Sequence, residues 1–407
     1  MLSNHVFNLY QPVNTDESIV KIESRTYLPF VKSFNHSDVI EITINRTDCW
    51  LLMHDAAIII KGKVQKTKGN GDVKLVQNAG AFLFDSIIYE LCGMEIENVR
   101  DPGIISTMRG YLIYEEDDSK LLETGGWNYP KTPTVNTDGS FIFRIPVHHL
   151  FNFFKDYQMA MCGKQTFRFF RAQSDHNAIK ITSSDPKDHT EAKITIDSME
   201  LKVKHIYPND IIKMDLLNAI RSNKPILMPF RKWEIHELPS LPYGGNKEIW
   251  AVKTSTEIEC PRFIICGFQT DKKNKSSEDI TEFNHINITD IRALLNSDII
   301  PQENLRLNFD KNEYAEAYQN YTQFAQSYGI FKKSPLLTFS EFKEKPVFVL
   351  DCSRRDQTFK ATTIDVKLEI ESSKGFPNNT RVLCIIVHDC IIEFKPLTEE
   401  IKKITNF

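Results

Sequence analysis

Three observations predict an all-β protein built from two copies of one β-sandwich. The 407 residues include 27 Phe, 13 Tyr and 4 Trp, set among many Ile, Val and Thr, a mixture that favours strands over helices. Short apolar segments recur between Gly, Pro, Asn and Asp, the punctuation of a many-stranded fold. The order of those segments then runs twice, at an offset of roughly 200 residues. The length leaves room for two cores.

In the first half, Ser18 to Phe30, Asp38 to Asn45 and Trp50 to Gln65 read as strands. The stretch Asp38 to Asn45 alternates in part, as a half-buried strand does. Lys68 to Asp72 is a glycine-rich turn. Phe82 to Tyr89 and Met94 to Val99 follow as strands around a bend at Cys92 and Gly93. Pro102 opens a helix through Tyr114, with Asp101 placed to cap it. Glu115 to Gly139 reads as a polar loop, Phe141 to Ile145 as a strand, and Val147 to Asp156 as a short helical insert. Gln165 to Ala172 and Ala192 to Tyr207 close the half.

Between Pro208 and Pro225, the segment Asn209 to Arg221 has helical spacing of Ile211, Ile212 and Leu216, with Asn209 as cap. It is expected to be a linker helix whose apolar face packs on a neighbouring domain. The organisation predicted is an N-terminal arm over 1–17, a first sandwich over 18–208, the linker over 209–224 and a second sandwich over 225–407. In the second half, Ile226 to Glu237, Ile249 to Glu257 and Arg262 to Thr270 read as strands, and Asp271 to Glu278 as a charged loop. Phe283 to Leu295 and Leu305 to Phe309 are expected strands. Glu313 to Tyr328 is an expected helix stopped by Gly329. Pro346 to Cys352, Thr363 to Glu371 and Thr380 to Pro396 complete the chain.

The halves correspond segment by segment. Trp50, with the strand ending Ile60-Lys-Gly-Lys-Val64, is set against Trp250, with the later Phe263-Ile-Ile-Cys-Gly-Phe268. Phe84 to Ile88 is set against Phe283 to Asn287, and the bend at Cys92 to Ile96 against Leu295 to Ile299. Thr166 to Phe170 corresponds to Ile364 to Leu368, each before a polar loop with a proline (Pro186, Pro377). Ile194 to Pro208 and Val382 to Pro396 share length and terminal proline. About eight strands per half is the count of a jelly roll, two four-stranded sheets face to face.

Charge and motif content exclude several classes. With 50 basic and 54 acidic residues there is no chain-wide basic field for phosphates. Mild basic clusters at Lys61 to Lys68, Lys272 to Lys275 and Arg354-Arg355 leave room only for local DNA contact. The N-terminus lacks a basic segment followed by an apolar core, so no signal peptide is expected and synthesis in the cytosol is. No apolar run is long enough for a membrane span. Eight cysteines form no CxxC and no zinc spacing. Cys260 and Cys266 on one strand would lie roughly 20 Å apart, beyond disulfide reach. They read as small apolar residues of a reduced protein.

No active site emerges. GxGxxG, GxxxxGK[ST] and GxSxG are absent. His148 and His149 are adjacent and point in different directions, so one metal rarely takes both. Neither half has the His-x-His with downstream Glu of a double-cupin enzyme. His388-Asp389-Cys390 cannot form a relay along one strand, because successive side chains alternate faces. Glu115 to Asp118 reads as a solvated run. The expectation is no catalytic residue, no cofactor and no metal.

The strings Leu75-Val-Gln-Asn-Ala-Gly-Ala-Phe-Leu-Phe84, Ile87-Ile-Tyr-Glu90, Arg231-Lys-Trp-Glu234, Trp250 to Thr256, Pro261 to Thr270 and Asp389 to Pro396 carry a resemblance. The sequence resembles the double jelly-roll major capsid proteins of tailless icosahedral DNA viruses. It looks closest to those of Polinton/Maverick and adintovirus-like elements, over nearly the whole chain after about residue 17. The resemblance implies a non-enzymatic virion protein whose homotrimer forms a pseudo-hexagonal capsomer. Implied partners are further capsomers, penton and minor capsid proteins, and non-specifically the packaged DNA. The arm Met1 to Glu17 would tie neighbouring capsomers, and the loops Glu115 to Gly139 and Asp271 to Glu278 would be the variable ones. A carbohydrate-binding or glycan-processing double sandwich is the alternative, and a domesticated host copy a third reading.

Overall fold

A computed structural model describes residues 18–46, 49–183, 189–254, 260–296, 298–332, 334–353 and 363–404. The expected arm 1–17, Pro186 and the Arg354-Arg355 pair lie outside the described residues.

In the first half run β1 (Ile19–Tyr27), β2 (Val39–Ile44), β3 (Trp50–Lys68), β4 (Asp72–Leu75), α1 (Ala79–Phe82), β5 (Phe84–Leu91) and β6 (Met94–Arg100). Then come α2 (Pro102–Ile113), α3 (Glu116–Leu121), β7 (Ser140–Pro146), α4 (Val147–Leu150), α5 (Asn152–Asp156), β8 (Gln165–Arg171), β9 (Ile179–Thr182) and β10 (Glu191–Pro208). After α6 (Asp210–Arg221) follow β11 (Ile226–Leu238), β12 (Lys247–Lys253), β13 (Pro261–Thr270), β14 (Ile288–Leu295), β15 (Asp298–Ile300) and α7 (Ala315–Tyr328). The chain continues through α8 (Phe339–Glu344), β16 (Phe348–Asp351), β17 (Val366–Ser372), β18 (Thr380–Lys395) and β19 (Glu400–Ile404).

The sheets repeat. In the first half the orders are β1-β10-β3-β7 and β2-β8-β5-β6; in the second they are β11-β18-β13-β16 and β12-β17-β14-β15. Matching strands in chain order (β1 with β11, β2 with β12, β3 with β13, β5 with β14, β6 with β15, β7 with β16, β8 with β17, β10 with β18) turns one pair of orders into the other. The fold is therefore all-β, two tandem eight-stranded jelly-roll sandwiches. The small sheet β4-β9 and strand β19, paired to β18, are additions.

Side-chain alternation builds the first core. In β2, Ile40, Ile42 and Ile44 are buried while Glu41 and Thr43 are half-exposed. In β10, Met199, Leu201 and Val203 face in, and Glu200, Lys202 and Lys204 face out. β13 and β18 differ: Phe263 to Phe268 and Arg381 to Val387 are buried without alternation. A strand covered on both faces reads as a continuous apolar run, and these two do.

Several expectations are corrected. Trp50 lies on β3 and Trp250 on β12, which are not counterparts; the apolar strings after them are. Phe283 to Asn287 precedes its strand, because Ile286 and Asn287 take positive φ (38° and 52°) and turn the chain. Leu305 to Phe309 is not a strand and makes one isolated bridge, Asn308 to Glu313. The stretch Glu115 to Gly139 is not all loop: Glu115 and Asp118 form a reciprocal cap on α3, followed by a 3-10 turn at Glu123–Gly125. Asp101 sits before α2 at φ 45° without a side-chain capping bond. Asn209 does cap α6, accepting the Ile212 N–H at 2.8 Å. Yet α6 buries none of its residues, and Ile211 is 73% exposed. Gly329 ends α7 at φ 89° as expected.

Candidate functional site

The residues singled out in sequence do not converge. His149 is buried: its Nε2 lies 2.9 Å from Asn78 Oδ1 and its Nδ1 2.8 Å from the Tyr114 hydroxyl. The Asn78 amide nitrogen faces Gly103 O, Ser106 and Thr107, so its oxygen accepts from His149. Burial, with the Arg109 cation nearby, lowers the pKa of the imidazole well below the usual value. His148 points elsewhere. It donates from Nδ1 to His54 O at 3.0 Å and stacks on the His54 ring at 4.9 Å. Burial pushes its pKa down to about 4.

Along β18, His388 and Cys390 are buried, whereas Asp389 points to the opposite face and pairs with Arg262 at 2.6 Å and Arg231 at 3.6 Å. No relay forms. No two of the eight cysteines are bonded to each other. Among the described residues no group of three His, Cys, Asp or Glu is placed to hold a metal. No described helix is long and apolar enough to cross a membrane.

The basic loop Lys272 to Lys275 is largely neutralised by its own surroundings. Lys272 lies 3.5 Å from Glu282, Lys273 2.7 Å from Glu237, and Lys275 pairs with Asp271. The loop also joins the halves. Asn274 and Asn177 exchange two hydrogen bonds (2.8 and 3.1 Å), and the Ile181 N–H donates to Ser276 O at 2.6 Å. In contrast Lys61, Lys66 and Lys68 on β3 are exposed.

What the fold assembles instead is a seam between its halves. Glu97 on β6, buried, accepts the N–H groups of Asn152 (3.1 Å) and Phe153 (2.9 Å) at the start of α5. Arg109 on α2 bonds Asn152 Oδ1 and His149 O from the other side. So anchored, α5 lays Phe153 edge-on against Phe230 of β11 at 5.2 Å, and Asp156 accepts the Arg231 N–H at 2.8 Å. Arg231 lies over the Tyr328 ring at 4.2 Å and bonds that residue's carbonyl.

Helices α2 and α7 form the other part of the seam. Tyr111 donates to Thr281 O at 3.1 Å, and Tyr129 to Glu341 at 2.9 Å. Lys332 reaches Leu112 O at 3.2 Å, and burial lowers its pKa to about 8. A methyl on Gly267 of β13 would meet Met108 of α2 at 3.0 Å. Sequence reading found α2, α7 and the insert, but not that they meet.

Two sandwiches of equal strand order, fastened through buried helices and lacking a convergent reactive cluster among the described residues, define a tandem double-sandwich protein. The chain belongs to the double jelly roll-like family, whose model matches residues 73–392. Among solved structures it is similar to that of the Sputnik virophage, at 9% identity and TM-score 0.68, covering 99% of this chain and 92% of that one. It is also similar to the mavirus major capsid protein (10% identity, TM-score 0.63, 100% and 94% covered). The Faustovirus major capsid protein matches at 10% identity and TM-score 0.58, with 96% and 93% covered. No curated protein matches the chain.

Proposed function

We propose that this protein is a structural, non-enzymatic major capsid protein. Its homotrimer forms a pseudo-hexagonal capsomer that tiles an icosahedral shell around a DNA genome. The observation that carries the reading is the seam: one chain holds two like sandwiches in a fixed relation, so three chains supply six similar corners. Membership of the double jelly roll-like family and likeness in fold to the mavirus and Faustovirus capsid proteins support it.

The division we propose is an arm over 1–17, sandwiches over 18–208 and 225–407, and α6 within the connecting 209–224. Further partners are penton and minor capsid proteins. Non-specific DNA contact falls to the exposed lysines of β3 rather than to Lys272–Lys275. The protein is made in the host cytosol and ends in the virion. The glycan-binding alternative has no observation in its favour.

Light scattering and negative-stain microscopy of the purified chain test this. Trimers with hexagonal outline, or shells, are expected. A stable monomer at high concentration, in every salt tried and with candidate minor proteins added, overturns it.

A further inference from the structure

Helix α6 carries two apolar stripes. Ile212, Leu216 and Ile220 are half-buried, whereas Ile211, Met214 and Leu217 are 73%, 54% and 39% exposed. Side chains three or four apart share a helix face, so the second set forms one bare stripe. An amphipathic helix turns its apolar face to a partner, and the described residues leave this one open.

The helix starts where the chain enters its first strand. The Asn209 N–H donates to Ser18 O at 2.9 Å, and Pro208 stands opposite Ile19 in the β1–β10 ladder. Residues 1–17, outside the described residues, therefore join the fold at the first turn of α6. They hold Val6, Phe7, Leu9, Tyr10 and Val13 within eight positions, and no Lys or Arg. Asp16 and Glu17, next to Ser18, suit the positive end of the helix dipole. The 12 residues of α6 make a helix about 18 Å long. Five extended residues span about 17 Å, so a segment starting at Ser18 reaches the whole stripe.

Size selects the occupant. Three partly exposed side chains offer on the order of 300 Å², well short of the about 800 Å² that each partner gives to a stable interface between separate molecules. A tethered segment needs less, because a short linker holds it at an effective concentration of about millimolar. Asp210 and Asp215 on the same exposed helix disfavour an anionic lipid surface.

We propose that residues 6–13 dock on the Ile211, Met214 and Leu217 stripe of α6 in the same chain, an intramolecular cover for the link between the sandwiches. The contact goes beyond the capsid reading: it forms in the free chain, whether or not trimers assemble.

Chymotrypsin, which cuts after Phe7, Leu9 and Tyr10, provides the first test. Release of N-terminal peptides from the full chain is timed by mass spectrometry beside a synthetic peptide of residues 1–17. Cleavage follows the undocked fraction, so the full chain is expected to be cut at least about tenfold more slowly than the peptide. Ile211→Glu and the milder Met214→Gln, each folded by circular dichroism, should restore most of that rate, and Leu121→Glu on α3 should not. Second, a chain carrying both Gln11→Cys and Asn218→Cys is treated with a bismaleimide, run on a denaturing gel and mapped by peptide mass spectrometry. A link between positions 11 and 218 in the band of single-chain mass is expected. A full chain cut as fast as the peptide overturns the proposal, as does protection that neither α6 variant relieves. An 11–218 link found only in bands of two or more chains assigns the stripe to another copy's segment, which also overturns it. So does binding of the wild-type chain to phosphatidylglycerol vesicles that Ile211→Glu abolishes, which assigns the stripe to lipid.

Discussion

The Tyr321 hydroxyl donates to the main-chain carbonyl of Tyr111 at 2.8 Å while accepting the Leu337 N–H at 2.9 Å. Tyr111 lies in the last turn of α2, where carbonyls have no partner inside the helix. The second half thus caps a helix of the first. Tyr321→Phe strands a buried acceptor and a buried donor, and a loss of about 1–3 kcal/mol is expected. The urea midpoint falls with an unchanged slope; an unchanged midpoint would mean that water reaches both groups.

Phe153→Ala empties the contact with Phe230. The expected cost is about 3–5 kcal/mol, as for other large-to-small changes in a core. Hydrogen exchange locates it: the Arg231 amide, held by Asp156, loses protection, while β2 and β8 keep theirs.

Acid weakens the protein through His148 and His149. Both are held neutral by burial, with pKa values lowered to about 4 for His148 and well below the ordinary value for His149. An unfolded chain takes up protons near pH 6.5, the folded one only on approaching pH 4. Stability is therefore full above about pH 6.5 and falls as pH drops toward 4, by about 3 kcal/mol from His148. His148→Asn, which keeps a donor for the His54 carbonyl, should flatten that limb of a denaturation series. An equally steep limb would assign it to other groups.

Gly62 and Gly267 lie on the counterpart strands β3 and β13. A methyl on Gly62 would sit 2.4 Å from the main-chain oxygen of Thr195 on β10; on Gly267 it would sit 2.7 Å from the Phe283 ring. A ring can shift, whereas a paired strand's carbonyl cannot. Gly267→Ala should cost about 1–3 kcal/mol and Gly62→Ala more. Thermal midpoints in the reverse order would refute the comparison.

Most of the strands of both halves, and their repetition, were legible because alternation in β2 and the apolar runs in β13 and β18 are written in local sequence, whereas the short β15 and β19 were not. The helix α7 was legible from its composition and Gly329. What escaped has distant causes. The exposure of Ile211 on α6 depends on what the helix fails to meet, and periodicity cannot reveal that. Strands β4 and β9 exist through each other, pairing Val73 with Ile181 across most of the first half, and each is too short to announce itself. Thr338 and Glu341 do form a capping box on α8, a signal that was present in the sequence. The seam was invisible because Glu97, Arg109 and Tyr321 become partners only after both sandwiches are built.

The double burial of β13 and β18 makes the halves unequal partners in time. The first sandwich turns lysines and glutamates outward from β10, and its apolar seam is confined to residues such as Met108 and Tyr111 of α2 and Phe153 of α5. The second has an apolar outer sheet face that α7 covers together with residues of α2 and α5. Chains emerge from the ribosome N-terminus first, so the surface that the later half needs is already in place when it arrives. Reversing the order of the halves in the gene would leave the part of that sheet met by α2 and α5 waiting uncovered, and more aggregation during synthesis is the expected outcome.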